Sequence, residues 1–398
     1  MKPASEFFSS EFLKSNIEDT LRFYSSNVID SQGGFNQNWY DNGTVFDSHR
    51  KHLVSSCRMI FNFCKAESLF NNAEYRDIWQ HGLKYLRETH WQEERQGYSW
   101  LIENGLATDE TNHCYGLAFV LLAFATTLQA GDEQSREDLY QCWELLEKHF
   151  WQPEQGLYAD EISADWQQIS EYRGQNANMH CCEALILAYE ATRDQMFLDR
   201  AFLLADTIVN QQTIESNGLI WEHFDSNLAI DWNYNIDDPE NLYRPWGYQP
   251  GHQTEWSKLL LMLYKHSPKK WLLDKAEFLF EKAMEVAWDD NNGGMFYGFD
   301  PEGNICDSNK YFWVQAESMA AAGLLFNYTK KQRYLDDYNT IWEYCWTYFV
   351  DHQYGAWFRI LSSENLSLND QKSVAGAKCD YHNLGACSLL LETLDFKS

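Results

Sequence analysis

The sequence predicts an all-α fold: a single (α/α)6 barrel over residues 1–398, with six inner helices, six outer helices and short β-hairpins on one rim. Three observations predict it. Glycine-plus-aromatic segments recur at a near-constant interval. Each interval repeats the same order of amphipathic stretch, glycine-aromatic segment and strongly apolar stretch. No Pro/Ser-rich linker or charge tract divides the chain.

The repeated segments are Gly33-Gly34-Phe35 through Trp39-Tyr40, Gly97-Tyr98-Ser99-Trp100, Gly156-Leu157-Tyr158, Gly218-Leu219-Ile220-Trp221, Gly293-Gly294-Met295-Phe296-Tyr297 and Gly355-Ala356-Trp357-Phe358. Their first glycines are evenly spaced except between Gly218 and Gly293, where the interval is longer. A period this long marks one repeated supersecondary unit. The longer fourth interval holds Asp237-Asp238-Pro239-Glu240, which reads as a surface excursion. Residue alternation in each segment suggests a short hairpin.

Amphipathic helical stretches precede the segments at 77–90, 136–150, 196–211, 270–286 and 334–350. Stretches apolar on most faces follow them at 53–64, 115–128, 184–191, 256–264, 318–326 and 384–391. A helix apolar nearly all round is buried, and its amphipathic partner faces water. Inner and outer helices in alternation close into a toroid.

Composition narrows the function. With 44% hydrophobic and 23% charged residues the chain is globular. Aromatic residues reach 16%, with 17 Trp, which suits both a large core and a pocket that stacks on sugar rings. A formal net charge of −28 argues against nucleic acid and against an anionic membrane surface. Ten cysteines show no paired zinc spacing and read as reduced, buried thiols. The N-terminus has no apolar signal region, and the run 115–126 is too short to span a bilayer. The expectation is a cytoplasmic protein, monomeric or homodimeric, without a membrane partner.

The chemistry concentrates where the inner helices begin. These entrances carry Arg58; Asn112, His113 and Tyr115; Asn176, His180 and Glu183; His252 and Glu255; Lys310, Trp313 and Glu317; and Lys378, Asp380 and His382. A lone histidine beside an apolar face is usually a satisfied core residue. Four of twelve histidines at equivalent entrances weaken that reading.

Four activities fit such a ring. Glu110-x-x-His113, His180-x-x-Glu183 and His252-x-x-Glu255 resemble parts of a carboxylate-histidine metal site, but they lie on different arms of a wide ring. Glu183, Glu255 and Glu317 could supply the two carboxylates of a glycoside hydrolase. Histidines that titrate near neutrality suit proton transfer beside a carbonyl, with Glu255 available to orient a ring. A sugar-binding toroid accounts for the aromatics but not for the histidines and carboxylates.

Arg58 in Ser-Cys-Arg-Met, Tyr115-Gly116-Leu117-Ala118-Phe119, Asn176-Ala177-Asn178-Met179-His180 with Glu183, Pro250-Gly251-His252-Gln253-Thr254-Glu255-Trp256, Trp313-Val314-Gln315-Ala316-Glu317 and Asp380-Tyr381-His382 together resemble the N-acylglucosamine 2-epimerase superfamily over nearly the whole chain. The wording is most similar to its aldose–ketose isomerases, the mannose isomerase and sulfoquinovose isomerase branch. The resemblance implies an (α/α)6 barrel, no metal and no cofactor. It implies isomerisation of D-mannose and D-fructose through a cis-enediol, with His252 and His382 catalytic. His382 would handle the carbon proton and His252 would assist ring opening. Arg58, Tyr115, Asn176, His180, Glu183, Glu255, Trp313 and Glu317 would bind the monosaccharide. A 2-epimerase, or a sulfoquinovose isomerase, of the same superfamily is the alternative. Members that use a nucleotide effector find no counterpart here, since no Gly-x-x-x-x-Gly-Lys-[Ser/Thr] cradle is present. Arg244 is the one cation near the pocket turn suited to a sulfonate, so a neutral hexose is expected.

Overall fold

In the computed structural model, residues 4–241 and 243–394 are described. A short α1 (Ala4–Phe7) precedes α2 (Ser10–Ser25), α3 (Leu53–Phe70), α4 (Ala73–Tyr85), α5 (Cys114–Gln129), α6 (Gln134–Leu145) and α7 (Gln175–Thr192). Then follow α8 (Gln195–Asp206), α9 (Pro250–His266), α10 (Lys270–Ala287), α11 (Phe312–Thr329), α12 (Gln332–Tyr344) and α13 (Tyr381–Thr393). The odd-numbered helices from α3 onward form the inner ring. Each packs on the next, and α13 packs back on α3, so the ring is closed.

Burial follows the predicted division. In α5 every residue from Gly116 to Leu128 is buried, whereas α4 buries only Ile78, Trp79, Gly82 and Leu83, a single stripe. Each inner helix from α3 to α11 reverses within a few residues into an outer helix. Asn71, Arg193 and Lys330 make the turn in the left-handed region, which releases the last helical carbonyls for capping.

The third to sixth inner helices start earlier than hydrophobicity predicts. The third runs from Gln175 rather than 184, and the fifth from Phe312 rather than 318. Polar side chains interrupt the apolar pattern there without interrupting the backbone. The candidate residues therefore occupy the N-terminal halves of the inner helices.

The sequence pattern revealed only five outer helices. The sixth is α2, at the other end of the chain, and it packs on α13. Tyr24 of α2 donates its hydroxyl proton to Asp380, the residue that caps α13. Outer helices α4, α6, α8 and α12 pass into five-residue π turns at 86–90, 146–150, 207–211 and 345–349. Each wide turn ends the helix and releases the chain toward a hairpin or loop.

The hairpins are short antiparallel ladders, such as 91–92 with 97–98 and 151–152 with 157–158. Three of the connecting segments share a buried ion pair, with aspartate and lysine at the same spacing in each. These are Asp30–Lys51 at 2.6 Å, Asp289–Lys310 at 2.8 Å and Asp351–Lys372 at 2.6 Å. Lys310 thus serves the scaffold rather than the pocket, and so does Lys378, which is paired with Asp380. All ten cysteines are free thiols, and every one except Cys306 is buried.

Candidate active site

Proline at the first turn of α9 pre-sets the helical φ, and Gly251 follows it. Glycine is required at 251 because of proximity. A Cβ there would lie 2.4 Å from the Trp313 ring and 2.8 Å from Val314. That close approach seats Trp313 against His252, with ring centroids 5.0 Å apart. The same indole also packs against His382, at 5.7 Å. The two candidate catalytic histidines are therefore brought together around one tryptophan, although they come from the fourth and sixth inner helices. Gly251→Ala should displace Trp313 and lower kcat/KM by about 10²-fold, the usual cost of a misplacement near 1 Å. Steady-state kinetics on a variant with unchanged melting temperature checks this.

Each histidine bonds through Nδ1 to a carboxylate. His382 Nδ1 lies 2.7 Å from Glu317 Oε1, and His252 Nδ1 lies 2.9 Å from Glu222 Oε2. A carboxylate accepts only, so Nδ1 carries a proton in each ring. Burial pushes His382 down to about 4, despite Glu317, so the imidazole is a neutral base at pH 7.

Glu222 was not among the sequence candidates, and the orienter expected for His252 was Glu255. The structure corrects this. Glu255 lies one turn deeper on α9, with its carboxylate 3.5 Å from Lys258 and 4.0 Å from His180. Glu222 has a signal in the repeat: it follows Gly218 at the same offset as Asp160 follows Gly156. Asp160 accepts the Gly174 N–H at 2.7 Å, so both acidic residues brace the entry of an inner helix. Gln175 completes the His252 support. Its carbonyl accepts from the Trp256 indole at 2.7 Å and its amide donates to Glu222 at 2.8 Å.

Beneath the histidines lies Lys258, also absent from the sequence candidates. Its Nζ is 2.7 Å from Glu317, 3.0 Å from Glu183 and 3.5 Å from Glu255. Burial opposes its charge, yet these three carboxylates hold its pKa well above the usual lysine value. Burial also opposes charge on Glu183 and Glu317, but Lys258 holds both below the usual carboxylate range. Glu255 goes the other way, raised by burial and by Glu317.

Arg58 donates to the Tyr115 hydroxyl at 2.8 Å and lies over the Phe119 and Tyr381 rings at 4.4 and 5.1 Å. Burial pushes His180 down to about 3, and its ring is 6.3 Å from that of His382. Asn176 Oδ1 is buried without a hydrogen-bond partner among the described residues and is open to a ligand hydroxyl, whereas His180 Nδ1 faces Glu183 at 3.5 Å. All ten predicted site residues thus come from the N-terminal halves of the six inner helices. Tyr115, Asn176 and Trp313 are half-buried walls above a buried floor.

Of the three metal-like pairs Glu110–His113 separates, while His180 and Glu183 stay 3.5 Å apart. Glu110 is paired with Arg95 at 3.0 Å, while His113 stacks on Trp100 and lies 3.6 Å from Glu161. Two sets, His180/Glu183/Glu255, which contains one of the expected pairs, and Glu255/Glu317/His382, hold donor atoms within 4.8 Å of one another. Lys258 Nζ stands among these carboxylates and supplies the positive charge that they require. Arg244 is also committed, to Glu161, to the Tyr172 ring at 3.9 Å and to the Tyr234 hydroxyl at 3.2 Å.

The N-acylglucosamine 2-epimerase model matches residues 33–386. The chain belongs to the N-acylglucosamine 2-epimerase family. It is 52% identical to a D-mannose isomerase of Marinomonas mediterranea over 389 residues, covering 98% of each chain. Among solved structures, a crystal structure of D-mannose isomerase superposes with a TM-score of 0.97 at 51% identity, covering 99% of this chain and 100% of that one. The cellobiose 2-epimerase from Bacillus thermoamylovorans B4167 has a TM-score of 0.86 at 19% identity, covering 96% and 100%, and shares the fold. The inner ring and hairpin rim described above are thus the (α/α)6 architecture of the N-acylglucosamine 2-epimerase family.

Proposed function

We propose that this protein is an aldose–ketose isomerase that interconverts D-mannose and D-fructose. The observation that carries the proposal is the pair of histidines around Trp313, each with Nδ1 on a carboxylate and Nε2 available. The D-mannose isomerase that matches the chain over nearly its full length supports the same reading.

His252 assists opening of the pyranose by moving a proton at the O1/O5 end. His382 Nε2 then takes the proton from C2 of the open-chain aldose. The C2–H electron pair becomes the C1–C2 double bond. The C1 carbonyl electrons move to O1, which takes a proton delivered by His252 to complete the cis-enediol. In the second half the O2 proton passes back to His252, the C2 carbonyl forms, and His382 returns its proton to C1. No atom is gained or lost. Arg58, fixed by Tyr115, and neutral His180 face the oxygens on which charge develops. Glu317 stabilises the imidazolium while His382 holds the proton. Asn176 and Trp313 hold the hydroxyls and one ring face, while the Glu183–Glu255 floor limits the depth of the pocket.

One catalytic domain supplies every group named, so a monomer or a homodimer serves equally. No helix among the described residues is long and apolar enough to cross a membrane. Ten free thiols fit the reducing cytoplasm. Catalysis is proposed to need no added metal, because Lys258 supplies the positive charge at the three-carboxylate cluster.

Incubation with mannose followed by NMR tests the reading: fructose is expected. Glucose alone would mark a 2-epimerase, and no conversion would sink the proposal. The acid limb of kcat/KM should also lie near pH 4 rather than near 6.5. His382 acts as base only when unprotonated, and its depressed pKa keeps it so until pH falls through about 4.

A further inference from the structure

We propose that Lys258 is a positioning residue for the isomerisation, its ammonium group clamping the first turn of α13 through two glutamates. The inference rests on the isomerase reading above. Lys258 Nζ bonds Glu317, whose other oxygen bonds His382 Nδ1 at 2.7 Å. The same Nζ bonds Glu183, whose other oxygen accepts from the Tyr381 hydroxyl at 2.8 Å. Two consecutive residues of α13 are thus held by two carboxylates that meet on one cation. His382 carries the proposed base. Tyr381 carries the ring beneath Arg58, 5.1 Å from the guanidinium carbon.

Among the described residues no second cation stands in for the ammonium at this clamp. The groups around Lys258 are Glu183 and His180 on α7, Glu255 on its own helix, Glu317 on α11, and Tyr381 and His382 on α13, with Arg58 on α3 and Tyr115 on α5 beyond them. Arg58 is directed to Tyr115 and is stacked on aromatic rings. Without the ammonium, Glu183 and Glu317 lose the cation that bridges them. Each is then buried with one oxygen unpaired, and a carboxylate in that state takes a proton or turns. Either change frees His382 from its orientation while leaving the sugar-facing walls in place.

A cavity of about 50 Å³ reaches Lys258 from the face opposite the hairpins. Leu187, Leu261 and Leu389 line it, and Lys65 and Lys265 stand at its mouth, paired with Glu392 and Glu190 at 2.9 Å each. This volume holds a few waters, and it gives a small alkylammonium a route to the lysine position.

The test compares wild type with Lys258→Met, Lys258→Ala and Lys258→Arg on mannose. Wild type must convert mannose; if it does not, the isomerase reading fails rather than this one. In Lys258→Met, kcat should fall by about 10²-fold with KM changed less than about threefold. Loss of the nearby cation should also move the acid limb of kcat/KM to higher pH. n-Propylammonium should restore Lys258→Ala about tenfold or more, and n-propanol should not. Lys258→Arg should keep more activity than Lys258→Met. Wild-type kcat in the Met variant overturns the proposal. So does a lowered kcat with an unmoved limb and no response to the amine, which would mark a purely structural role. If the Met and Ala variants do not fold, the Arg variant decides. A displaced charge should lower its kcat at unchanged KM, and unchanged kcat overturns the proposal.

Discussion

His382→Asn should lower kcat/KM on mannose by about 10²–10⁴-fold while the circular dichroism spectrum and melting temperature stay near wild type. The imidazole is the group proposed to carry the C2 proton, and asparagine has no basic nitrogen to replace Nε2. The amide still fits against Glu317, which remains paired with Lys258, so the floor of the pocket survives. In D2O the wild type should exchange deuterium into the carbon that receives the proton, and His382→Asn should not. The partner variant, His252→Asn, separates the two roles: it should slow conversion while the C2 proton of any open-chain sugar still exchanges. Wild-type exchange in His382→Asn together with none in His252→Asn would reverse the assignment. Retained turnover in both would remove the histidine mechanism altogether.

Lys310→Met should destabilise the protein by about 3–5 kcal/mol, because it leaves a buried charge without its partner. Lys310 is fully buried. It bonds Asp289 at 2.8 Å, the Gly293 carbonyl at 2.6 Å, and the Ser363 carbonyl and Asn365 side chain at 3.0 Å each. It therefore ties the fifth hairpin to the loop after the sixth. The urea midpoint measures the loss. Asp289→Leu combined with Lys310→Met should recover part of it, since an apolar pair leaves no uncompensated charge. A cost under about 1 kcal/mol would show that water reaches the lysine and that the pair acts as a surface pair does.

The ring architecture was legible because it is periodic. Glycine-aromatic segments at a near-constant interval, each between an amphipathic and an apolar stretch, leave few ways to bury six apolar helices. The outer helix at 10–25 escaped because it opens the chain and its inner partner, α13, closes it. Amphipathic pattern identifies a helix but does not say which distant helix covers it. His252, His382, Arg58, His180 and Glu255 were legible for the opposite reason. Each is polar at the start of an apolar helix, and local sequence exposes that conflict.

The sequence by itself therefore determined the repeat, the closed helical ring, and the inner-helix entrances at which the candidate residues, His252 and His382 among them, are placed. These follow from hydrophobic period and helix geometry, which are local. Only the tertiary structure decided which charges meet. Glu222 rather than Glu255 orients His252, and Lys258 joins Glu183 of the third inner helix to Glu317 of the fifth. Electrostatic partnership depends on ångström distances between side chains of different helices and on the water excluded around them. For pairs that join different inner helices no spacing along the chain encodes either quantity, so Lys258, within the apolar stretch 256–264, becomes the cation on which the floor of the pocket is organised.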